Sequence, residues 1–443
     1  MSDVPNGWGS ATMGAVTLPV CTANPKEDPD DEITYVDIGS IDNALNIVVN
    51  PKRVLGRDAP SRARQRLAMG DTVFSTVRTY LRNIGYIDNS LDGAIGSTGF
   101  CVLRPAIGIN SKYLFYYCLT RQFVDGLSAQ MRGTSYPAVV DSQVRDMPIL
   151  VAPSAEQQRI VAAIEEEFSQ IDAGVTALER ARKNLRRMRA AVLESLLVAG
   201  DQNPWPNADL GSVLWKGRYG TSTKCGYEGH GLPVIRIPNV QSGAIDLSDM
   251  KRAMDESVDL SGALVAEDDV LIIRTNGSRT LIGRAAVVGP QSEPMAFASY
   301  LIQLQFDRSR IDPRYLVTTL GAPSMRKRIE HLAATSAGQY NISLDKLRSL
   351  AIPLPPIDEQ QRQFSEASQS LSKIAGLEVI VSETTLNQDR LRSAILAAAF
   401  EGKLVRPCSD DEPASALLEQ IAATNSSSNG HKAARKSPAK VTA

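Results

Sequence analysis

Histidine and cysteine are scarce in this sequence, and their scatter excludes much chemistry. The three histidines, His230, His331 and His431, have no neighbour of their kind, which leaves a His-based nucleophile system or a His-rich metal site poorly supplied. The five cysteines, Cys21, Cys101, Cys118, Cys225 and Cys408, form no C-x-x-C. An odd, dispersed set fits reduced structural thiols in a cytosol and argues against a zinc knuckle or a disulfide frame. No run of about 18 apolar residues occurs, and the start MSDVPNGWGS lacks a basic-then-apolar signal, so neither a membrane span nor secretion is expected, and a cytoplasmic location is. No G-x-x-x-x-G-K-[ST] is present, which disfavours an ATP-driven step of the P-loop type. No G-x-G-x-x-G follows a strand, which disfavours a dinucleotide or adenosyl cofactor. With 3 Trp, 12 Tyr and 9 Phe, stacking on single-stranded nucleic acid is less expected than reading of a duplex.

What is present is a chain of 443 residues, enough at roughly 100–200 residues per domain for two to four folding units. Its 43% hydrophobic and 22% charged content is that of an ordinary globular protein. The net charge of −1 hides a patchy distribution. Residues 51–82 carry eight basic side chains against Asp58 and Asp71, and residues 274–328 carry nine against Glu293, Asp307 and Asp312. Two basic clusters in separate parts of a neutral chain are what two anion-facing surfaces need. The acidic run Glu27-Asp28-Pro29-Asp30-Asp31-Glu32 reads as a solvated loop, since the following ITYVDIG supplies no acid-x-lysine of a nuclease strand. Asn203-Pro204-Trp205 is similar to an amino-methyltransferase loop but lacks its second proline and any glycine-rich partner, so a boundary turn explains it.

The chain is a duplication. Glu156-Gln157-Gln158-Arg159 returns as Glu359-Gln360-Gln361-Arg362, an offset of 203 that also matches Ile171 with Ile374, Arg189 with Arg392 and Leu193 with Leu396. Upstream, Trp8, Gly14 and Val16 match Trp205, Gly211 and Val213 at an offset of 197, Val36-Asp37-Ile38 matches Ile235-Arg236-Ile237, and GDTVFSTVR (70–78) resembles EDDVLIIR (267–274) with one residue fewer. The order is therefore a variable unit, a helix, a second variable unit and a second helix.

From Pro153 to about Ala199, and from Pro356 to about Glu401, proline is absent and glycine is rare. Ile164, Phe168, Ile171, Val175, Leu178, Leu185 and Val192 step by threes, fours and sevens, the seam of a coiled coil. Ala367, Leu371, Ile374, Val381 and Ile395 repeat it more weakly, with Glu378 and Gln388 in the seam. Ser154 with Gln157, and Asp358 with Gln361, have the spacing of capping boxes. Rods of about 65 Å with one apolar stripe need a partner, and intramolecular antiparallel pairing is expected over a dimerisation arm or a plain linker.

The variable units mix short β-rich runs (33–38, 71–77, 99–105, 233–240, 269–274, 283–288, 299–306) with the amphipathic helices 111–127 and 312–332, an α+β pattern without regular βαβ alternation. The expected domains are 1–152, helix 153–200, 201–355, helix 356–405, and a mobile tail over 406–443. Two basic, unlike heads on a rigid spacer suit a split duplex site. Arg and Lys would meet phosphates, and Arg, Asn and Gln would read bases.

These residues resemble the specificity subunits of type I restriction–modification enzymes over about residues 5–406. The resemblance rests on IPLPPIDEQQR (352–362), its degenerate twin MPILVAPSAEQQRIV (147–161), AAFEGKLV (398–405), GDTVFSTVR (70–78) and IIRTNGS (272–278). The first copy departs by Pro-Ser-Ala for Pro-Pro-Ile and by Leu-Val-Ala-Gly (197–200) in place of the Phe-Glu-Gly ending. The resemblance implies two α/β target recognition domains in pseudo-twofold repeat, separated by two long antiparallel helices in a coiled coil. Each domain would bind one half of an asymmetric bipartite DNA site, with the helices setting the gap.

It further implies two methyltransferase subunits, one per repeat, with optional motor–nuclease subunits. No catalysis and no cofactor would belong to this chain, S-adenosylmethionine and ATP being bound by the partners and the target adenine flipped into a partner's pocket. The expected base or phosphate contacts are Arg62, Arg64, Arg66, Arg78, Tyr80 and Arg82 in the first head and Arg274, Asn276, Arg279 and Arg284 in the second. The loops Thr134-Ser135-Tyr136 and Ser336-Ala337-Gly338-Gln339-Tyr340-Asn341 are expected at the groove edge. A basic stretch on the first helix (Arg180, Arg182, Lys183, Arg186, Arg187, Arg189) could face DNA or a partner, with a solvated face as the default. The rival readings are a self-sufficient methyltransferase or nuclease and a coiled-coil adaptor without DNA readout.

Overall fold

The computed structural model describes residues 4–133, 135–198, 205–241, 243–336 and 338–433, side chains at 334–336 and 425–433 excepted. Contacts divide the chain into two compact units, 1–176 with 384–443 in one and 177–383 in the other. Each unit is a head together with a stretch of both long helices.

In the first unit, strands Lys52–Leu55, Glu32–Val36, Ile95–Ser97 and Ala63–Arg66 form one four-stranded sheet, and Thr17–Leu18, Phe100–Pro105, Thr72–Ser75 and Ile84–Tyr86 form another. The second unit repeats the plan. Cys225–Gly226, Lys251–Ala253, Pro233–Ile235 and Ala296–Phe297 make one sheet, and Leu214–Tyr219, Leu301–Phe306, Val270–Ile273, Ala285–Val287 and Gly243–Ala244 make the other. Each first-named sheet holds one parallel pair, Val36 opposite Gly96 and Ile235 opposite Phe297. Each of these strands runs on into a 3-10 turn, Ile38–Ser40 or Ile237–Asn239, fixed by the side chain of Ser40 or Asn239.

The single helices expected over 111–127 and 312–332 are each broken in two. α1 (Ser111–Cys118) and α2 (Arg121–Ser128) are separated at Thr120, whose Oγ1 accepts the Phe123 N–H and donates to the Tyr117 carbonyl. After the short α3 (Asp141–Asp146) and α4 (Ser154–Ser195, 42 residues), the second unit repeats the break. There α5 (Pro313–Leu320) and α6 (Pro323–Leu332) part at Pro323, whose missing N–H permits only a helix start. α7 (Leu344–Arg348) leads to α8 (Ile357–Phe400, 44 residues).

α4 and α8 pack against each other, and the order of contacts makes them antiparallel. In the first unit Ile171 is buried with Ile395 and Leu396, and Arg392 bonds Asp172. In the second, Leu185 is buried with Ile374 and Val381, and Leu196 with Ala367. The seam is the one read from the sequence. The capping boxes are not. Gln157 Nε2 donates to the Ala152 carbonyl at 2.8 Å while Oε1 accepts the Asn110 N–H at 2.9 Å, and in the second copy the acting residue is Gln360, not Gln361. Gln360 Oε1 accepts the Asp312 N–H at 2.9 Å, and Nε2 donates to the Pro355 and Arg310 carbonyls. Both glutamines are fully buried, and each ties the start of a long helix to the N-cap residue of the head helix beside it.

The mobile tail is also corrected. α9 (Ala414–Ala433) places Ala414 and Ile421 in the first unit's core, with Leu417 and Leu418 packed against it, and Asp411 bonds Arg159. Two glycines make room. A Cβ on Gly9 would stand 2.7 Å from Leu418 Cδ1, and one on Gly108 would stand 2.4 Å from Leu417 Cδ1. Apolar side chains at helical spacing in a segment judged by its polar end are what the compositional reading missed. Residues 434–443 and the Asn203-Pro204 turn lie outside the described residues.

Candidate nucleic-acid interface

The same short ribbon stands at the same place in both units. In the first, the strand Thr72–Ser75 continues so that the Thr76 N–H donates to Gly99 and the Val139 N–H to Thr76, Val77 pairs with Ala138, and the Arg78 N–H donates to Pro137 at 2.8 Å. In the second, the Arg274 N–H donates to Tyr300 and the Ile342 N–H to Arg274, Thr275 pairs with Asn341, and Asn276 pairs with Tyr340. Further back, Asp71 Oδ2 accepts the Ala68 N–H and Asp269 Oδ2 accepts the Ala266 N–H. The two stretches therefore match without a gap, at an offset of 198 from Asp71–Asp269 to Arg78–Asn276. The one-residue gap drawn from the two arginines is wrong. Arg274 stands where Thr76 does, and Arg78 stands where Asn276 does.

Arg78 has a left-handed backbone, φ 49°, as does Arg82, φ 56°, on either side of the 3-10 turn Thr79–Leu81 that carries the exposed Tyr80. The Arg78 guanidinium lies 5.2 Å from the ring centroid of Tyr136 and bonds the Ser135 carbonyl at 3.2 Å. Tyr136 is 74% exposed, so it serves as a platform for the arginine and not as core. Arg82 turns inward instead. Its guanidinium bonds the Leu119 carbonyl, and burial holds its pKa below the ordinary arginine value. Arg62 is exposed and joins the ribbon through one turn, its carbonyl accepting the Thr98 N–H next to Gly99. Arg64 is engaged with Ser61 and Asn24, and Arg66 lies beside the acidic loop, among Glu27, Asp28, Asp31 and Glu32. Among the described residues no hydrogen bond or ion pair joins the side chains of these two to the ribbon. Thr134 lies outside the described residues.

In the second unit the ribbon is a three-stranded sheet of Thr275–Asn276, Gln339–Asn341 and Ala334–Ser336. It gathers Arg274, Asn276, Gln339, Tyr340 and Asn341, five of the residues singled out. Arg274 sits 4.4 Å over the ring of Tyr219 and 3.5 Å from Asn341 Oδ1, which also accepts from Thr275 Oγ1. Arg279 is exposed and paired with Glu330 at 3.2 Å, and Arg284 is half-buried in a recess with Arg189 and Arg326. Ala337 lies outside the described residues. The sequence reading missed Tyr219 and Tyr300. The signal was there in aromatics interleaved with basic residues, Arg218-Tyr219 and Lys224-x-x-Tyr227, the latter with Lys251 4.7 Å over its ring.

The ribbons present side-chain amides and guanidiniums, the latter braced by aromatic rings, a surface suited to duplex edges and phosphates. Among the described residues no group of His, Cys, Asp or Glu could hold a metal ion, and no helix is long and apolar enough to cross a membrane.

Two repeated α/β heads, each packed with a stretch of an antiparallel helix pair, define a class of DNA-recognition subunit. The profile of the type I restriction modification DNA specificity domain matches residues 46–185 and 203–375, and the chain belongs to that family. It is 24% identical to the type I restriction enzyme EcoKI specificity subunit of Escherichia coli (strain K12), with 98% of both chains covered, and 23% identical to the StySPI specificity subunit of Salmonella potsdam, again with 98% of both covered. Among solved structures, the HsdS subunit from Thermoanaerobacter tengcongensis is 29% identical with TM-score 0.63, covering 90% of this chain and 98% of that one. A chain from work on complex assembly and conformational transition of the type I R-M system is 30% identical with TM-score 0.77, covering 90% and 99%.

Proposed function

We propose that each head grips one half of a split duplex site through its ribbon, that the α4–α8 pair sets the gap between halves, and that the chain itself carries no catalysis. The observation behind this reading is the recurrence of one ribbon backbone at matched positions in two heads whose surrounding sequences are unlike, each ribbon carrying an arginine braced by an aromatic ring but at different places along it. A repeated scaffold with different side chains is what two different half-sites require.

In this reading the target adenine is flipped into a methyltransferase partner, two such subunits docking, one per repeat. S-adenosylmethionine is held by those partners and ATP by any motor–nuclease subunit, and the assembly works in the cytoplasm. Double-stranded DNA is the chain's own ligand. Titration of the full chain against duplexes of varied sequence tests this. The expected result is sequence-dependent affinity that weakens steeply with salt. Equal affinity for all sequences without salt dependence would favour an adaptor, and equilibrium binding of S-adenosylmethionine by the chain alone would favour a self-sufficient methyltransferase. Methylome sequencing of cells making the chain with its partner would give both half-sites and their gap.

A further inference from the structure

The register of the two ribbons sets Arg78 and Asn276 in one equivalent place, and their side chains have different chemistry. Each backbone is pinned at that point, the Arg78 N–H by the Pro137 carbonyl and Asn276 by pairing with Tyr340. Each side chain is also held. The Arg78 guanidinium rests over the exposed Tyr136 ring with one bond to Ser135, and the Asn276 Oδ1 accepts the Ser278 N–H at 2.7 Å. Among the described residues Arg78 is in no ion pair, whereas Arg279 is tied to Glu330 and Arg82 to a carbonyl.

A guanidinium has five N–H donors in a fixed fork, of which Ser135 takes one. A carboxamide has two donors and two lone pairs, of which Ser278 occupies one lone pair. In the major groove the fork matches the O6 and N7 acceptors of guanine, and the carboxamide matches the N6 donor and N7 acceptor of adenine. Arg78 also adopts a left-handed backbone that an arginine rarely takes, and such strain collects where geometry serves binding.

We propose that Arg78 and Asn276 are the base-selecting residues of the two ribbons, Arg78 choosing a guanine in one half-site and Asn276 an adenine in the other. The inference rests on the reading that the ribbons grip duplex DNA, and it adds which side chains choose and what they choose. Arg274, placed two residues earlier and held against Tyr219 and Asn341, then braces its ribbon.

The test is selection by the full chain from a duplex library with both half-sites randomised. The wild-type consensus is expected to hold a guanine in one half and an adenine in the other. Arg78→Asn should cut preference for that guanine about ten-fold or more and shift it toward adenine. The other half-site should stay intact, which also shows that the variant is folded. Asn276→Arg should do the converse in the other half.

If Arg78→Asn fails to fold, two milder variants carry the question. Arg78→Lys keeps the charge without the fork and Tyr136→Ala removes the platform, and each should weaken the same guanine preference. A uniform loss of affinity with the consensus unchanged would show a phosphate contact and overturn the inference while leaving the DNA-binding reading standing. A wild-type chain that selects no sequence at all would overturn that reading itself.

Discussion

Gln157 and Gln360 stitch each long helix to the head helix beside it. Each satisfies a backbone N–H of a head helix and a carbonyl of the segment entering a long helix, all away from water. An apolar replacement would leave those groups unpaired, so Gln360→Leu should destabilise the second unit by about 2–4 kcal/mol, read as a lowered midpoint in denaturant, with the first unit's transition unmoved. The repeated E-Q-Q-R marked these positions, but a helix-capping rule misassigned the partner of Gln157 and picked Gln361 in place of Gln360, because the true partners lie 47 and 48 residues away in sequence.

Asp312 adds a pH dependence at the same joint. Burial pushes its carboxyl up, but bonds from the Arg314 side chain and backbone outweigh this and hold it below its ordinary value of 3.8. A carboxylate with a lowered folded pKa stabilises the fold at pH above its unfolded value, and the contribution is lost as pH falls through the folded one. Thermal melts between about pH 5 and 2 should therefore show the second unit weakening on acidification below about 4. Asp312→Asn, which keeps a capping oxygen, should flatten that slope.

Among the elements, α9 departs furthest from what its composition suggests. It lies on the first unit only. The two glycines that admit it, Gly9 and Gly108, fall at places where the second repeat has Pro206 and Arg310. Truncation after Arg406 should cost the first unit about 3 kcal/mol from lost apolar burial. It should raise amide exchange in Gly9–Thr12 and Pro148–Val151, the paired strands beside it, and leave 205–353 unchanged. Equal loosening in both units would contradict the contacts seen. Elsewhere the elements followed the sequence closely. β-branched runs became strands, and the apolar seam of α4 and α8 became their contact. Helix breaks at Thr120 and Pro323 were legible only locally, since apolar periodicity continues across both.

At the scale of the molecule, the spacer reading makes the sharpest claim. Deleting one heptad from α4 and one from α8 together removes about 10 Å from each. The preferred gap between half-sites should shorten by about three base pairs while both half-sites keep their sequence. Selection from a duplex library with variable gaps measures this. An altered half-site at constant gap would count against the helices as spacer.

Duplication, the α+β class, the paired rods and the family were all settled by order along the chain. They rest on periodicity, repeat offsets and contiguous motifs, which are one-dimensional quantities. Which arginines share a surface was decided only by the fold. Arg64 is near Arg78 in sequence yet is spent on Asn24, and Arg66 lines a recess beside an acidic loop, while Tyr136 and Tyr219, each more than fifty residues from its arginine, supply the bracing rings. Strand pairing sets such neighbours, and the register that equates Arg78 with Asn276 is a matter of backbone hydrogen bonds that no alignment of like residues reveals.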